Sequence, residues 1–62
     1  MPSKAEFRVL RLLAGPSPQS AIAGELFLSP NTVKTHVKAI NRKLGTASRA
    51  EAVARARQLG LI

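Results

Sequence analysis

The chain has 62 residues, ten Lys and Arg against three Glu and no Asp, a formal net charge of +7, and no cysteine. That length makes one small domain, which buries only about 60% of its unfolded surface; neither a disulfide nor a thiolate metal site can reinforce it, and no apolar run approaches the roughly 18 residues of a membrane span. The basic excess implies an anionic partner, nucleic acid first and an anionic membrane surface second, and with no Trp, no Tyr and two Phe the stacking platforms of single-strand binders are nearly missing, which favours duplex DNA.

The first predicted helix covers about residues 3–14. Ser3-Lys4-Ala5-Glu6 fits a capping box, Ser with Glu three residues on. Val9, Leu10 and Leu13 then form one face, with Phe7 and Leu12 at its margins, and Gly15-Pro16 ends it. Ser17-Pro18 reads as a cap followed by proline, opening a second helix over about 18–26. Ile22, Ala23 and Leu26 make its inner face. Phe27 and Leu28 follow, and their apolar character predicts a packed turn before Ser29.

The third helix is the most informative. Ser29 caps it, Pro30 takes the first position, where its missing N–H costs nothing, and Gly45 stops it in the left-handed conformation. The span 30–44 is about 22 Å long at 1.5 Å per residue. With Val33 at zero and about 100° per residue, Val37, Ile40 and Leu44 fall between about −20° and +40°, a narrow apolar seam. Asn31, Lys34, Thr35, Lys38 and Arg42 fall between about 100° and 200°. That face carries cations, short hydrogen-bonding side chains and no anion, as a helix laid in a DNA groove requires.

Ser48-Arg49-Ala50-Glu51 is a second capping box, opening a helix over about 48–59 that Gly60 stops. Ala52, Val53, Ala56 and Leu59 share its inner side. The fold class is therefore all-α, four short helices with no strand. Two of them are joined by a three-residue turn, Ala23 being small enough to let the second approach the third near Val33, the arrangement of a helix-turn-helix. Gly and Pro divide the chain into short capped segments, which a membrane-surface helix would not have.

The chain resembles the DNA-binding domain of the LuxR/FixJ family, also called GerE-like. The residues that carry the resemblance are Ile22-Ala23-Gly24-Glu25-Leu26-Phe27-Leu28-Ser29-Pro30-Asn31-Thr32-Val33-Lys34-Thr35-His36, then Arg42-Lys43-Leu44-Gly45, then Ser48-Arg49-Ala50-Glu51-Ala52-Val53. The resemblance implies a single domain over 1–62, the C-terminal effector of a longer bacterial transcription regulator working in the cytoplasm. It implies base reading by Lys34, Thr35 and Lys38, and backbone contacts from Asn31, Thr32 and Arg42, with Ser48 and Arg49 beside them. It also implies a homodimer on DNA through the last helix, whose outward residues are Ala54, Arg55 and Arg57. Other implied partners are RNA polymerase and an N-terminal sensor or receiver domain. The family often carries Lys-Glu ahead of Ile-Ala; Ser20-Ala21 stand here, a departure that puts the phosphate contact of such a lysine in doubt.

No metal or cofactor is expected. His36 falls near −60° on the wheel, at the edge of the seam, where a structural histidine bonded to backbone or phosphate is expected, and no second ligand lies near it. Glu6 and Glu51 occupy capping positions, so no acid–base pair is formed and catalysis is not expected.

Overall fold

The computed structural model describes residues Met1–Ile62. Ser3 caps α1 (Lys4–Leu13): its Oγ accepts the Glu6 N–H at 3.2 Å while Glu6 Oε1 accepts the Ser3 N–H at 2.9 Å, the reciprocal pairing of a capping box. α2 (Gln19–Leu26) departs from expectation at its start. Ser17 does not cap it; Pro18 is itself the extended N-cap residue, at φ −69° and ψ 161°, and its carbonyl accepts the Ala21 and Ile22 N–H groups at 3.0 Å. Proline fixes φ but leaves ψ free, so it serves as readily just before a helix as at its first position. α3 (Pro30–Leu44) begins and ends as its sequence predicts, with Ser29 Oγ accepting the Thr32 N–H at 3.1 Å and Gly45 at φ 69°. In α4 (Arg49–Gln58) Ser48 Oγ accepts the Glu51 N–H, but the Glu51 carboxylate reaches one residue further back, to the Ala47 N–H at 2.8 Å.

Three of the four helices end with the same device. An N–H two or three residues past the helix closes on a carbonyl five residues back: Leu28 on Ala23, Thr46 on Asn41 and Leu61 on Ala56, at 2.8–2.9 Å. This Schellman closure needs a left-handed residue just before the closing N–H. Gly45 and Gly60 supply it at φ 69° and 72°, but after α2 the residue is Phe27, at φ 56°. Phe27 is 95% exposed. The turn is therefore packed through Leu28, as its apolar character predicts, while Phe27, expected to pack with it, faces solvent. A side chain in the left-handed region costs about 1–2 kcal/mol, and here no burial offsets it. Phe27→Gly is expected to stabilise the domain by about 1 kcal/mol, part of the relief being lost to the greater freedom of glycine in the unfolded chain. A thermal melt would show a higher midpoint, and a fall would mean that the ring makes a contact that holds the turn.

α3 runs through the middle of the structure and packs against each of the other three helices. The core is one cluster: Val9, Leu10 and Leu13 of α1, Ile22 and Ala23 of α2, Val33, Val37, Ile40 and Leu44 of α3, and Ala52 and Ala56 of α4. Every seam position of α3 is buried, as is the inner face of α1. α4 is thinner than its pattern suggested. Leu59 is 51% exposed, because it sits at the C-cap beyond the last helical residue, where the chain turns through Gly60 and brings Leu61 against the core in its place.

One ion pair ties the ends of α1 and α3. Lys43 Nζ lies 2.6 Å from Glu6 Oε1. That hydrogen bond, together with the one from the Ser3 N–H, holds the Glu6 carboxyl below its ordinary value of 4.5, against the opposing effect of burial. A depressed carboxylate stabilises the fold fully above its unfolded value and loses that contribution as pH falls through the folded one. Glu6→Gln keeps the capping box and removes the charge. The wild-type advantage over Glu6→Gln, at most about 1 kcal/mol because Lys43 stays partly solvated, is expected to hold near neutrality and to vanish on acidification through and below 4.5. Parallel stability curves for the two proteins across that range would exclude a role for the charge.

Candidate nucleic-acid interface

The seam of α3 fixes the helix to the core and thereby fixes what its other side presents. Asn31, Lys34, Thr35, Lys38 and Arg42 are all exposed along it, while Thr32 is half-buried at its edge. Lys43, the fourth cation of α3, is turned the other way and spent on Glu6. Lys34, Lys38 and Arg42 enter no ion pair, since Glu6–Lys43 is the only one in the domain. The result is a rigid polar face with three unpaired cations, backed by buried aliphatic side chains.

Local hydrogen bonds define what each end of this face can do. The Thr35 hydroxyl donates to the Asn31 carbonyl at 3.0 Å, so its methyl group, and its oxygen as an acceptor only, are left for contact. At the helix start Pro30 has no N–H, Thr32 donates to Ser29 Oγ, and Val33 donates to the Ser29 carbonyl. Of the first-turn amides, the Asn31 N–H alone remains available, beside its own side-chain amide and in the positive field of the helix terminus. The Thr32 and Ser29 hydroxyls pair with each other at 2.8 Å.

Ser48 and Arg49 are both engaged within the domain. Ser48 Oγ caps α4. Arg49 is half-buried and reaches back to the end of α1, where Nε donates to the Leu13 carbonyl at 3.0 Å and one terminal nitrogen donates to the Gly15 carbonyl at 2.9 Å. Sequence reasoning gave no signal of this use, which joins residues 34 and 36 positions apart. The remaining guanidinium nitrogen is the part of Arg49 free to meet another group.

His36 is half-buried beside Ala5, Arg8, Leu26 and Leu28. No backbone hydrogen bond holds its ring, which leaves the phosphate of the two expected partners; the ring packs in a groove between α1 and the α2–α3 turn. On α4, Ala54 and Arg57 line an open groove with Ala50, Val53 and Leu13, while Arg55 lies outside it, next to Gln58 at 3.5 Å.

Residues 3–56 match the family model described as "Bacterial regulatory proteins, luxR family". The chain belongs to the luxR family. It is 45% identical over 60 residues, 97% of its length, to the probable transcriptional regulatory protein NarL of Mycobacterium tuberculosis, in strains CDC 1551 / Oshkosh and H37Rv. It is 42% identical over 57 residues, 92% of its length, to the HTH-type transcriptional regulator MalT of Serratia proteamaculans strain 568. The chain spans 28% of the length of the former and 6% of the latter. As a luxR-family helix-turn-helix domain it is a DNA-binding element of transcription regulation, and α2, the turn through Phe27 to Ser29, and α3 are its helix-turn-helix. No helix is long and apolar enough to cross a membrane.

Proposed function

We propose that the domain binds double-stranded DNA sequence-specifically with α3 in the major groove, and that it does so as the effector of a longer cytoplasmic regulator. The observation that carries this reading is the exposed face of α3: Lys34, Lys38 and Arg42 without internal partners, Asn31 and Thr35 among them, and no acid. Affinity and specificity divide among these residues. Arg42, Asn31 and Thr32 meet phosphates, the last two at the helix N-terminus, where an anion is favoured; Ser48 and the free nitrogen of Arg49 extend this contact to the start of α4. Neutralising phosphates releases counterions and is blind to sequence. Lys34 and Lys38 donate to guanine O6 or N7, and the Thr35 methyl meets the methyl of a thymine. Two copies pair through α4 along the groove at Ala54 and Arg57, with Arg55 at its rim, so the DNA site is an inverted repeat whose half-site spacing follows the dimer. RNA polymerase and a sensor or receiver domain are the further partners.

The direct test is selection of bound duplexes from a random pool at near-physiological salt. An enriched inverted repeat supports the reading. Enrichment of a single half-site or a direct repeat removes the α4 dimer, and recovery of unenriched DNA that washes off with modest salt leaves phosphate attraction alone.

The Thr35 assignment has its own test. A methyl–methyl contact is worth about 0.8 kcal/mol, one buried carbon, or roughly fourfold in affinity. Replacing the contacted thymine by deoxyuridine, which lacks the methyl, is expected to weaken wild-type binding about fourfold. The same replacement should leave Thr35→Ser unchanged, while Thr35→Val, which keeps the methyl, should remain sensitive. Equal sensitivity of all three proteins in a titration with the two duplexes would show that a group other than the Thr35 methyl meets the thymine.

A further inference from the structure

The outward face of α1 is as cationic as that of α3, and DNA binding by α3 does not use it. Val9, Leu10, Leu13 and Glu6 are buried; at about 100° per residue Lys4, Arg8 and Arg11 fall within about 60° of one another on the opposite side. All three are exposed and none is in an ion pair. Phe7, half-buried, lies beside them and lines a shallow groove with them. Arg8 also lines the neighbouring groove with Leu26, Leu28 and His36, so the two are continuous across the α1 surface.

This surface points away from the recognition face. Beyond the shared core, the α3 residues placed against α1 include Lys43, through Glu6, and His36, beside Ala5 and Arg8. On the α3 wheel they fall near −80° and −60°, against about +150° for the middle of the exposed polar face. α1 therefore lies about 140° round the α3 axis from that face, and its cations lie further out still. With α3 in the groove as proposed above, the duplex lies on the other side of the domain from them.

A second copy of the chain is a poor source of the missing counter-charge. Of the three Glu residues, Glu6 is bound to Lys43 and the Ser3 N–H, Glu51 to the Ala47 N–H, and only Glu25 is uncommitted. The apolar floor at Phe7 and Leu28 favours protein over nucleic acid. Phosphates would leave it unused, whereas arginine beside aromatic and aliphatic side chains is the composition that anchors protein interfaces.

We propose that the α1 face bearing Lys4, Phe7, Arg8 and Arg11 docks a segment of another protein that alternates acidic with aliphatic side chains, the carboxylates pairing with the cations and the aliphatics lying on Phe7 and Leu28. This goes beyond the DNA reading and lets the domain hold duplex and partner at once.

The test titrates the ¹⁵N-labelled domain with a synthetic peptide of alternating Glu and Leu, with and without a saturating duplex, and with an all-Glu peptide of equal charge as control. Amide shifts confined to α1 and the α2–α3 turn, persisting with duplex bound and weaker for the all-Glu peptide, are expected. Arg8→Glu with Arg11→Glu should weaken peptide binding at least about tenfold, equivalent to about 1.4 kcal/mol, with duplex affinity changed far less. Lys34→Gln with Lys38→Gln should leave peptide binding within about twofold. If charge reversal perturbs folding, Arg8→Gln with Arg11→Gln, checked by its amide spectrum, makes the same comparison. Peptide shifts on α3 that the duplex abolishes would overturn the proposal, as would equal binding of the all-Glu peptide. Shifts at Lys4, Arg8 and Arg11 on adding duplex alone would make the face a second nucleic-acid surface and would count against both this proposal and the placement of α3 as the sole reader.

Discussion

Replacing Lys34 and Lys38 together with alanine is expected to remove most of the sequence preference, leaving that of Thr35, with the fold intact. Both are exposed and neither has a partner inside the domain, so their loss leaves no buried group unsatisfied and the thermal midpoint should move little. Each good lysine–guanine contact discriminates by about 1–3 kcal/mol. Together they are expected to cost roughly thirtyfold to twenty-thousandfold in affinity for the preferred site. Affinity for unrelated DNA should fall far less, since Arg42, Asn31 and the remaining basic surface still neutralise phosphates. The salt dependence separates this from its alternative. If both lysines met phosphates, binding to every sequence would weaken alike and the slope of log affinity against log salt would drop by about 2. A loss restricted to the preferred duplex keeps them at base edges. One turn of helix separates the two residues, so the single variants need not add to the double.

What was readable in the sequence was what is local. Ser3 with Glu6, Ser29 with Pro30, and Gly45 each act within a few residues of themselves, and the helices they bound begin and end where those residues stand. The core of α1 and α3 was legible for the same reason, since a helix repeats its faces whatever it packs against. The exposed face of α3 follows directly from its seam. Structure and local pattern part where local rules permit two outcomes. Pro18 fits a helix as its cap or its first residue. Phe27, apolar by type, was expected to pack, but the left-handed closure of α2 turns it into solvent and gives the packing to Leu28. Leu59 continues the α4 pattern one step past the point where the helix ends. Contacts across the chain left no local trace: Lys43 with Glu6, 37 residues apart, and Arg49 with the end of α1. His36 sits at the seam's edge as the wheel places it, yet its environment is set by α1, which the wheel of α3 does not contain.

Arg49 shows how such a long-range contact changes a functional reading. Its sequence position suggests a cation at the start of α4, free to meet a phosphate. In the fold, two of its nitrogens close carbonyls at the end of α1, a place where the last turn lacks intrahelical partners. Arg49→Ala removes both bonds and loosens the junction of α1 with α4. Hydrogen bonds from a charged donor contribute about 1.5–3 kcal/mol each in favourable settings; with the side chain half-exposed, the combined cost is expected to be about 2–3 kcal/mol. For a domain of this length that lowers the melting midpoint by on the order of 10 °C. Arg49→Lys should not restore it, because an ammonium cannot present two diverging donors in the plane of a guanidinium. The pair of variants also isolates the phosphate contact. At a temperature where both are folded, Arg49→Lys keeps the charge and Arg49→Ala loses it, so an affinity gap between them that closes at high salt measures what Arg49 gives to DNA. Equal affinities with equal loss of stability would assign Arg49 wholly to the fold. An unchanged melting midpoint in Arg49→Ala would instead show that the α1 carbonyls are as well served by water, and would return Arg49 to the interface.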